Sequence, residues 1–265
     1  MTDAFAPSPR PAHRLIPSQF PPLGLFDTVA TAADLAAIME LVGWTNDRLV
    51  VDRISRLSQT EWVYGTPNAS IVMAAFLHVA PGGMRFNGPE LGAWYAADDI
   101  QTAAAEVGHH LRRETVARNV TTMIRTYRAY ASTLLGDYLD IRGQQTRRPD
   151  VYASDRYDAS QKFGEEVRAS GGAGLLYDSL RRRNGVNVVA HRPRNITDIV
   201  PRLQSWQDRA RSTSANCRFD KTADRWHCYS ACFGQCPLRA ISGPPELAGF
   251  GLWVEASGTK TFKNS

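Results

Sequence analysis

Residues 82–107 read GGMRFNGPELGAWYAADDIQTAAAEV. Gly82-Gly83 opens the stretch as a turn, and Gly88-Pro89 punctuates it again. Between and after these turns lie two short strand-like segments, Met84–Asn87 and Ala93–Ala97. Asp98 or Asp99 then caps a helix reaching about Arg113. Ile100, Ala103, Ala104, Val107 and Leu111 form the apolar side of that helix. Strand and helix succeed each other within 26 residues, so the chain is read as α+β.

Upstream the pattern is helical. Thr31–Leu41 predicts a helix with Gly43 just past its end, and Asn46–Leu57 spaces Leu49, Val50, Ile54 and Leu57 at helical intervals. Ser70–His78 reads as a third, buried helix. Residues 1–22 are rich in proline and read as an extended, poorly ordered lead-in. Downstream, Met123–Tyr130 and Leu134–Ile141 predict strands, Gln161–Ala169 a short helix, and Leu175–Ser179 and Val186–His191 two strands. Asn184-Gly185 between the last two is a hairpin signal. From Arg202 the periodicity fails, so the sequence divides into a lead-in (1–22), a helical part (23–81), a core (82–201) and an irregular tail (202–265).

The chain has 265 residues, 43% hydrophobic and 22% charged, the composition of a globular protein with a real core. Its net charge of +5 comes mainly from the tail. Residues 202–265 hold nine Lys+Arg and five Asp+Glu, leaving 22 and 21 for the rest. A nearly neutral body argues against a nucleic-acid-binding face. No apolar run approaches the roughly 20 residues that span a bilayer. Met1-Thr2-Asp3 is followed by no basic and apolar leader, so the expected location is the cytoplasm. All four cysteines, Cys217, Cys228, Cys232 and Cys236, fall in the tail, which leaves a disulfide-free body suited to a reducing compartment. Their spacing lacks the close pairing of structural zinc sites, and free thiols are the reading. His109 and His110 are adjacent on a helix and point about 100° apart, so they are not a metal pair. Arg181-Arg182-Arg183 reads as a solvated turn, and neither glycine pair has the pattern of a dinucleotide fingerprint.

Three blocks in order resemble the RES family. They are Gly82-Gly83 with Arg85-Phe86-Asn87, then Tyr95 ten residues on and Glu106 eleven further, and then Tyr177-Asp178-Ser179-Leu180-Arg181. Arg14 matches an arginine that opens the family's first strand. The likeness covers residues 13–200, and the long N-terminal part is similar to the ParT-type branch. The segment between Arg14 and Gly82 is longer than in compact members, and the tail has no counterpart.

The resemblance implies a core of split β-sheets with flanking helices, like that of ADP-ribosyltransferases. It implies a toxin of a type II toxin–antitoxin pair, silenced by an Xre-like antitoxin, with NAD as the substrate consumed and no metal. For the ParT-type branch it implies transfer of ADP-ribose to a protein acceptor such as phosphoribosyl-pyrophosphate synthetase. The alternatives are NAD hydrolysis or phosphorolysis, and a catalytically silent module that binds a partner. Glu106, Tyr95 and Arg85 become the catalytic candidates, and Arg14, Arg85, Asn87, Tyr95 and Ser179 the NAD-binding ones.

The chemistry of these residue types fits. Cleaving nicotinamide from ribose passes through an oxocarbenium-like transition state, as glycoside cleavage does, and a carboxylate such as Glu106 stabilises the growing charge. Tyr95 offers an aromatic face to nicotinamide. Arg85 and Arg14 offer planar forks to the diphosphate, and the Ser179 hydroxyl a donor. Each residue also has a structural reading. Glu106 could be a solvated helix residue, Tyr95 a packing residue, Arg85 a turn cap and Ser179 a strand-end hydrogen-bonding residue.

Overall fold

The structure is a computed structural model. It describes residues 4–18, 24, 26–31, 33–35, 37 and 51–201, and the backbone of 214–220 and 225–230. The elements in chain order are β1 (Ala4–Pro7), β2 (Ala12–Pro17), α1 (Val51–Ser55), α2 (Ala69–Leu77), β3 (Trp94–Ala97), α3 (Ile100–Ala117), β4 (Thr122–Leu134), β5 (Asp137–Asp140), α4 (Asp158–Ala169), β6 (Gly174–Asp178), β7 (Val186–Ala190), β8 (Ile196–Pro201), β9 (Ser214–Asp220) and β10 (Arg225–Ser230).

The strands pair in the order β1-β5-β6-β7-β3-β2-β4-β9-β10, with β8 also on β4. All neighbours are antiparallel except β5 and β6. This is one hydrogen-bonded order, where the resemblance implies split sheets. The reason is a single register pair, His13↔Ala97, which joins β2 to β3 and so bridges two otherwise separate halves. The α+β class stands.

Period-2 alternation sorts the side chains of β3. Trp94 and Ala96 enter a core shared with Ile54 of α1, Met73, Phe76 and Leu77 of α2, and Val188 and Ala190 of β7. Ala97 faces the other way, into a cluster with Leu15 of β2 and Ala103, Ala104 and Leu111 of α3. Tyr95 packs beside a third cluster containing Phe86, Tyr177 and Val189. Most of α2 is buried, so it lacks a polar face and reads as a continuous apolar run.

The proline-rich lead-in is not loose. It supplies β1, an edge strand on β5, and β2, an interior strand between β3 and β4. Proline tolerates extended backbone and lacks only the N–H. Pro7 and Pro17 fall at the last positions of β1 and β2, where they leave the interior ladder intact. The tail is also less irregular than its sequence suggests. β9 and β10 form a hairpin that pairs with Thr122–Arg128 of β4. Across that edge β8 pairs only as far as Tyr130–Leu134, so β9 satisfies backbone groups that would otherwise stand open.

Smaller differences follow local geometry. Met84–Asn87 is a turn closed by one bridge instead of a strand. β4 runs through Leu134, and the chain then turns at Gly136, whose φ of 95° favours glycine. The β6–β7 hairpin exists, with Asn184 left-handed at φ 60°, but its loop spans 179–185 because Ser179 N–H donates to the Gly185 carbonyl (2.8 Å). Helix is present at 33–35, at 37 and over Val51–Ser55; Thr31, Arg56 and Leu57 lie in bends and a turn, and residues 32, 36 and 38–50 of the first two predicted helices and their connection lie outside the described residues. No helix among the described residues is long and apolar enough to cross a membrane.

His191, just after β7, is 1% exposed. Burial, then nearby Arg168, push its pKa down to about 3, so the folded ring stays neutral. The unfolded ring takes up a proton below about pH 6.5, so the unfolded state binds more protons and stability falls as pH falls through that value. Denaturant melts at pH 7 and pH 5 should show a loss of about 2 kcal/mol from this residue. A His191→Phe variant should lose correspondingly less between the two pH values, and an unchanged difference would refute the assignment.

Candidate active site

α3 begins at a cap. Asp99 Oδ1 accepts from Thr102 N–H at 2.7 Å, which satisfies an otherwise unpaired helix donor. Arg182 locks the loop at 179–185 to this helix start. Its Nη1 donates to Asp99 Oδ2 (2.5 Å) and Thr102 Oγ1 (2.8 Å), and its Nη2 to Gln101 Oε1 (2.8 Å). Asp99 is held below its ordinary pKa because the Thr102 amide and Arg182 outweigh its burial, which acts in the opposite direction. The arginine run is therefore no solvated turn, since Arg181 is buried and Arg182 is anchored.

Glu106 lies one helical turn beyond Thr102. Its Oε1 accepts from Ser179 Oγ and from Asn187 Nδ2, both at 2.7 Å. The Ser179 oxygen in turn accepts from the backbone N–H groups of Arg181 and Arg182, each at 3.1 Å. With those contacts made, its own proton is the one left for Glu106. The structure thus brings Glu106 and Ser179 together, and adds Asn187, which sequence reading missed. A polar residue at the second position of the apolar strand VNVVA was the available signal.

Arg85 sits in the turn after Gly82-Gly83. Gly83 has φ 70°, and a Cβ there would stand 2.3 Å from the Asn87 carbonyl oxygen, so glycine is required. One Arg85 nitrogen donates to the carbonyls of Ala153 (2.8 Å) and Val151 (3.3 Å), and the guanidinium lies 4.8 Å from the Tyr157 ring centroid. Arg113 lies 5.8 Å from the same ring. Arg181 donates to the Ser154 carbonyl at 2.7 Å. Burial lowers its pKa, and Glu106 is the largest charge opposing that shift. His110, one turn after Glu106, is pushed down by burial, with Glu106 opposing and Arg113, Arg181 and Arg85 adding to the effect. Glu106 thus lies near both Arg181 and His110.

The Tyr95 hydroxyl donates to Asn87 Oδ1 (2.7 Å) and accepts from Phe86 N–H (2.9 Å). Burial raises its pKa above the usual phenol value. Asn87 was expected to bind ligand. It is instead 0% exposed, with Nδ2 on the Gly88 carbonyl, and acts as a strut behind Tyr95. Arg14 is also not brought to Glu106. It shares the face of β2 that carries Ala12, opposite Leu15, stacks 4.5 Å from the Trp94 ring centroid and donates to the Tyr95 carbonyl at 3.1 Å. Burial lowers its pKa to about 10. The rings of His109 and His110 meet edge to face at 5.7 Å, and no group of three metal-ligating side chains occurs among the described residues. Cys217 and Cys228 are register partners across β9 and β10, while Cys232 and Cys236 lie outside the described residues.

The family model of the RES domain matches residues 50–212. This chain belongs to the RES domain family. The match takes in Arg85, Tyr95, Glu106, Ser179 and Asn187. An uncharacterized protein, y4oC of Sinorhizobium fredii, is 32% identical over 97 residues, which is 35% of this chain and 40% of that relative. The matched stretch thus spans about two fifths of the relative's length. A solved chain from the M. tuberculosis MbcT–MbcA toxin–antitoxin complex is 21% identical, over 46% of this chain and 73% of that one. Its TM-score of 0.34 is too low to carry function.

The RES site depends on α4 docking closely on the Arg85 turn. Gly164 sits where a Cβ would come 2.2 Å from the Phe86 carbonyl oxygen, a backbone atom. Helix propensity alone favours Ala over Gly by about 0.5–1 kcal/mol. The close approach reverses that sign. Gly164→Ala should destabilise the chain by about 1–3 kcal/mol in urea melts, and a stabilised variant would show that α4 is not packed on this turn.

Proposed function

We propose that this RES-domain chain is a toxin of a toxin–antitoxin pair that cleaves the nicotinamide–ribose bond of NAD and passes ADP-ribose to an acceptor. The observation that carries this reading is Glu106, fixed on one oxygen by Ser179 and Asn187, with Arg181 two residues beyond Ser179 on the same loop. A preorganised carboxylate stabilises positive charge growing on the ribose as nicotinamide departs neutral. The guanidinium groups suit the two phosphates of the dinucleotide. Tyr95, partly buried beside the third cluster, is the aromatic candidate for nicotinamide.

Transfer to a protein acceptor is supported by the likeness to the ParT-type branch, for which the acceptor is phosphoribosyl-pyrophosphate synthetase. Ala104, two residues before Glu106, is fully buried. The helix therefore presents no second carboxylate there for an acceptor, which makes water or phosphate the competing acceptors. The family resemblance supports an Xre-like antitoxin as partner, which would silence the enzyme by covering the cleft over Glu106. Incubating the purified chain with NAD, with and without cell extract, separates the outcomes. Label on a protein band means transfer, free ADP-ribose means hydrolysis, and no released nicotinamide refutes the reading.

Glu106→Gln keeps shape but removes charge. It should lower kcat for nicotinamide release about 100- to 1,000-fold, with KM nearly unchanged. Activity within a few-fold of the parent would remove Glu106 from the chemistry. Arg85→Ala should differ in kind, mainly raising KM for NAD, because a phosphate grip acts in the ground state as well as in the transition state.

A further inference from the structure

Glu106 is gripped on one oxygen alone. Ser179 and Asn187 both donate to Oε1, and among the described residues no hydrogen bond reaches Oε2. The two donors come from different elements, Ser179 from the β6–β7 loop and Asn187 from within β7. A single donor leaves a carboxylate free to swing about that contact, whereas two converging donors fix its plane. Asn187 is 2% exposed, in a strand whose other residues are Val186, Val188, Val189 and Ala190. A buried amide costs free energy unless it is hydrogen-bonded, and packing alone would favour an aliphatic side chain at this position. Its register opposite Ala97 places it on the sheet face that α3 covers.

We propose that Asn187 is a positioning residue for the reaction, turning Glu106 so that Oε2 is the oxygen offered to the ribose. This rests on Glu106 being the catalytic carboxylate. The other titratable and charged groups about Glu106 and its neighbour His110 are His110 and Arg113 on α3, Arg85 from the turn after Gly83, Arg181 from the β6–β7 loop and Tyr177 on β6. None of these donates to Glu106 Oε1, so none duplicates Asn187.

Three variants of the full chain, assayed for nicotinamide release from NAD, test this. Asn187→Ala and Asn187→Leu both remove the donor, and Leu keeps most of the volume. Each should lower kcat about 10- to 100-fold with KM within about threefold. Asn187→Asp is nearly isosteric but sets a second carboxyl against Glu106. Two carboxyl groups that close share a proton, so the acid limb of the kcat–pH profile should move up by about one pH unit or more. A residue with only a structural role would leave that limb in place. The proposal is overturned if Glu106→Gln is inactive while Asn187→Ala and Asn187→Leu keep kcat within threefold and Asn187→Asp keeps the parent profile. Loss of a cooperative melt in all three variants would also overturn it, making Asn187 a folding residue. If the parent releases no nicotinamide, or Glu106→Gln turns over like the parent, the reading of Glu106 itself has failed, an outcome that no Asn187 result can mimic.

Discussion

The four residues of β3 hold this fold together. β3 pairs with β7 along its whole length and with β2 through one residue pair, so the two halves of the sheet meet along it. Strand geometry sends alternate side chains to opposite faces. Trp94 and Ala96 therefore close the core under α1 and α2, while Tyr95 and Ala97 form the floor beneath α3 and α4. A slip of one residue would bury Tyr95 in the wrong core and expose Trp94 to the site. The narrow seam between β2 and β3 lies beneath α3, which packs Ala103, Ala104 and Leu111 against Leu15 and Ala97.

The polar groups above this floor form a chain of dependence. Asp99 caps α3, Arg182 ties the cap to the β6–β7 loop, and the loop's backbone orients the Ser179 hydroxyl toward Glu106. Each link is satisfied at both ends, which matters where the surroundings are partly desolvated. Arg85 and Arg181 spend part of their forks on backbone carbonyls of 151–154, which organises that segment beside the loop.

Much of this was legible before any coordinates. The Ala-rich period marked α3, the aspartates marked its start, and Asn184-Gly185 marked the β6–β7 reversal. The resemblance to the RES family related Arg85, Tyr95, Glu106 and Ser179. The misjudged segments share one cause. β2 and β9 are strands because β4 offers them edges, and a pairing between residues more than 80 positions apart leaves little trace in local composition. Burial of Asn87 behind Tyr95 and the stacking of Arg14 on Trp94 depend on exposure and sheet face, which their residue types alone do not record.

By itself the sequence determined the helices now seen as Ile100–Ala117 and Asp158–Ala169, the reversal at Asn184-Gly185, and which residue types carry charge and aromatic surface, because these follow from short-range periodicity and backbone preference. Only the tertiary structure decided that the sheet is continuous, that Arg14 lies behind β3, and that Asn187 meets Glu106 81 positions away. Those outcomes depend on which face of a strand a residue occupies and on what packs above it. Both are set by the register of distant strands, which the local sequence does not record.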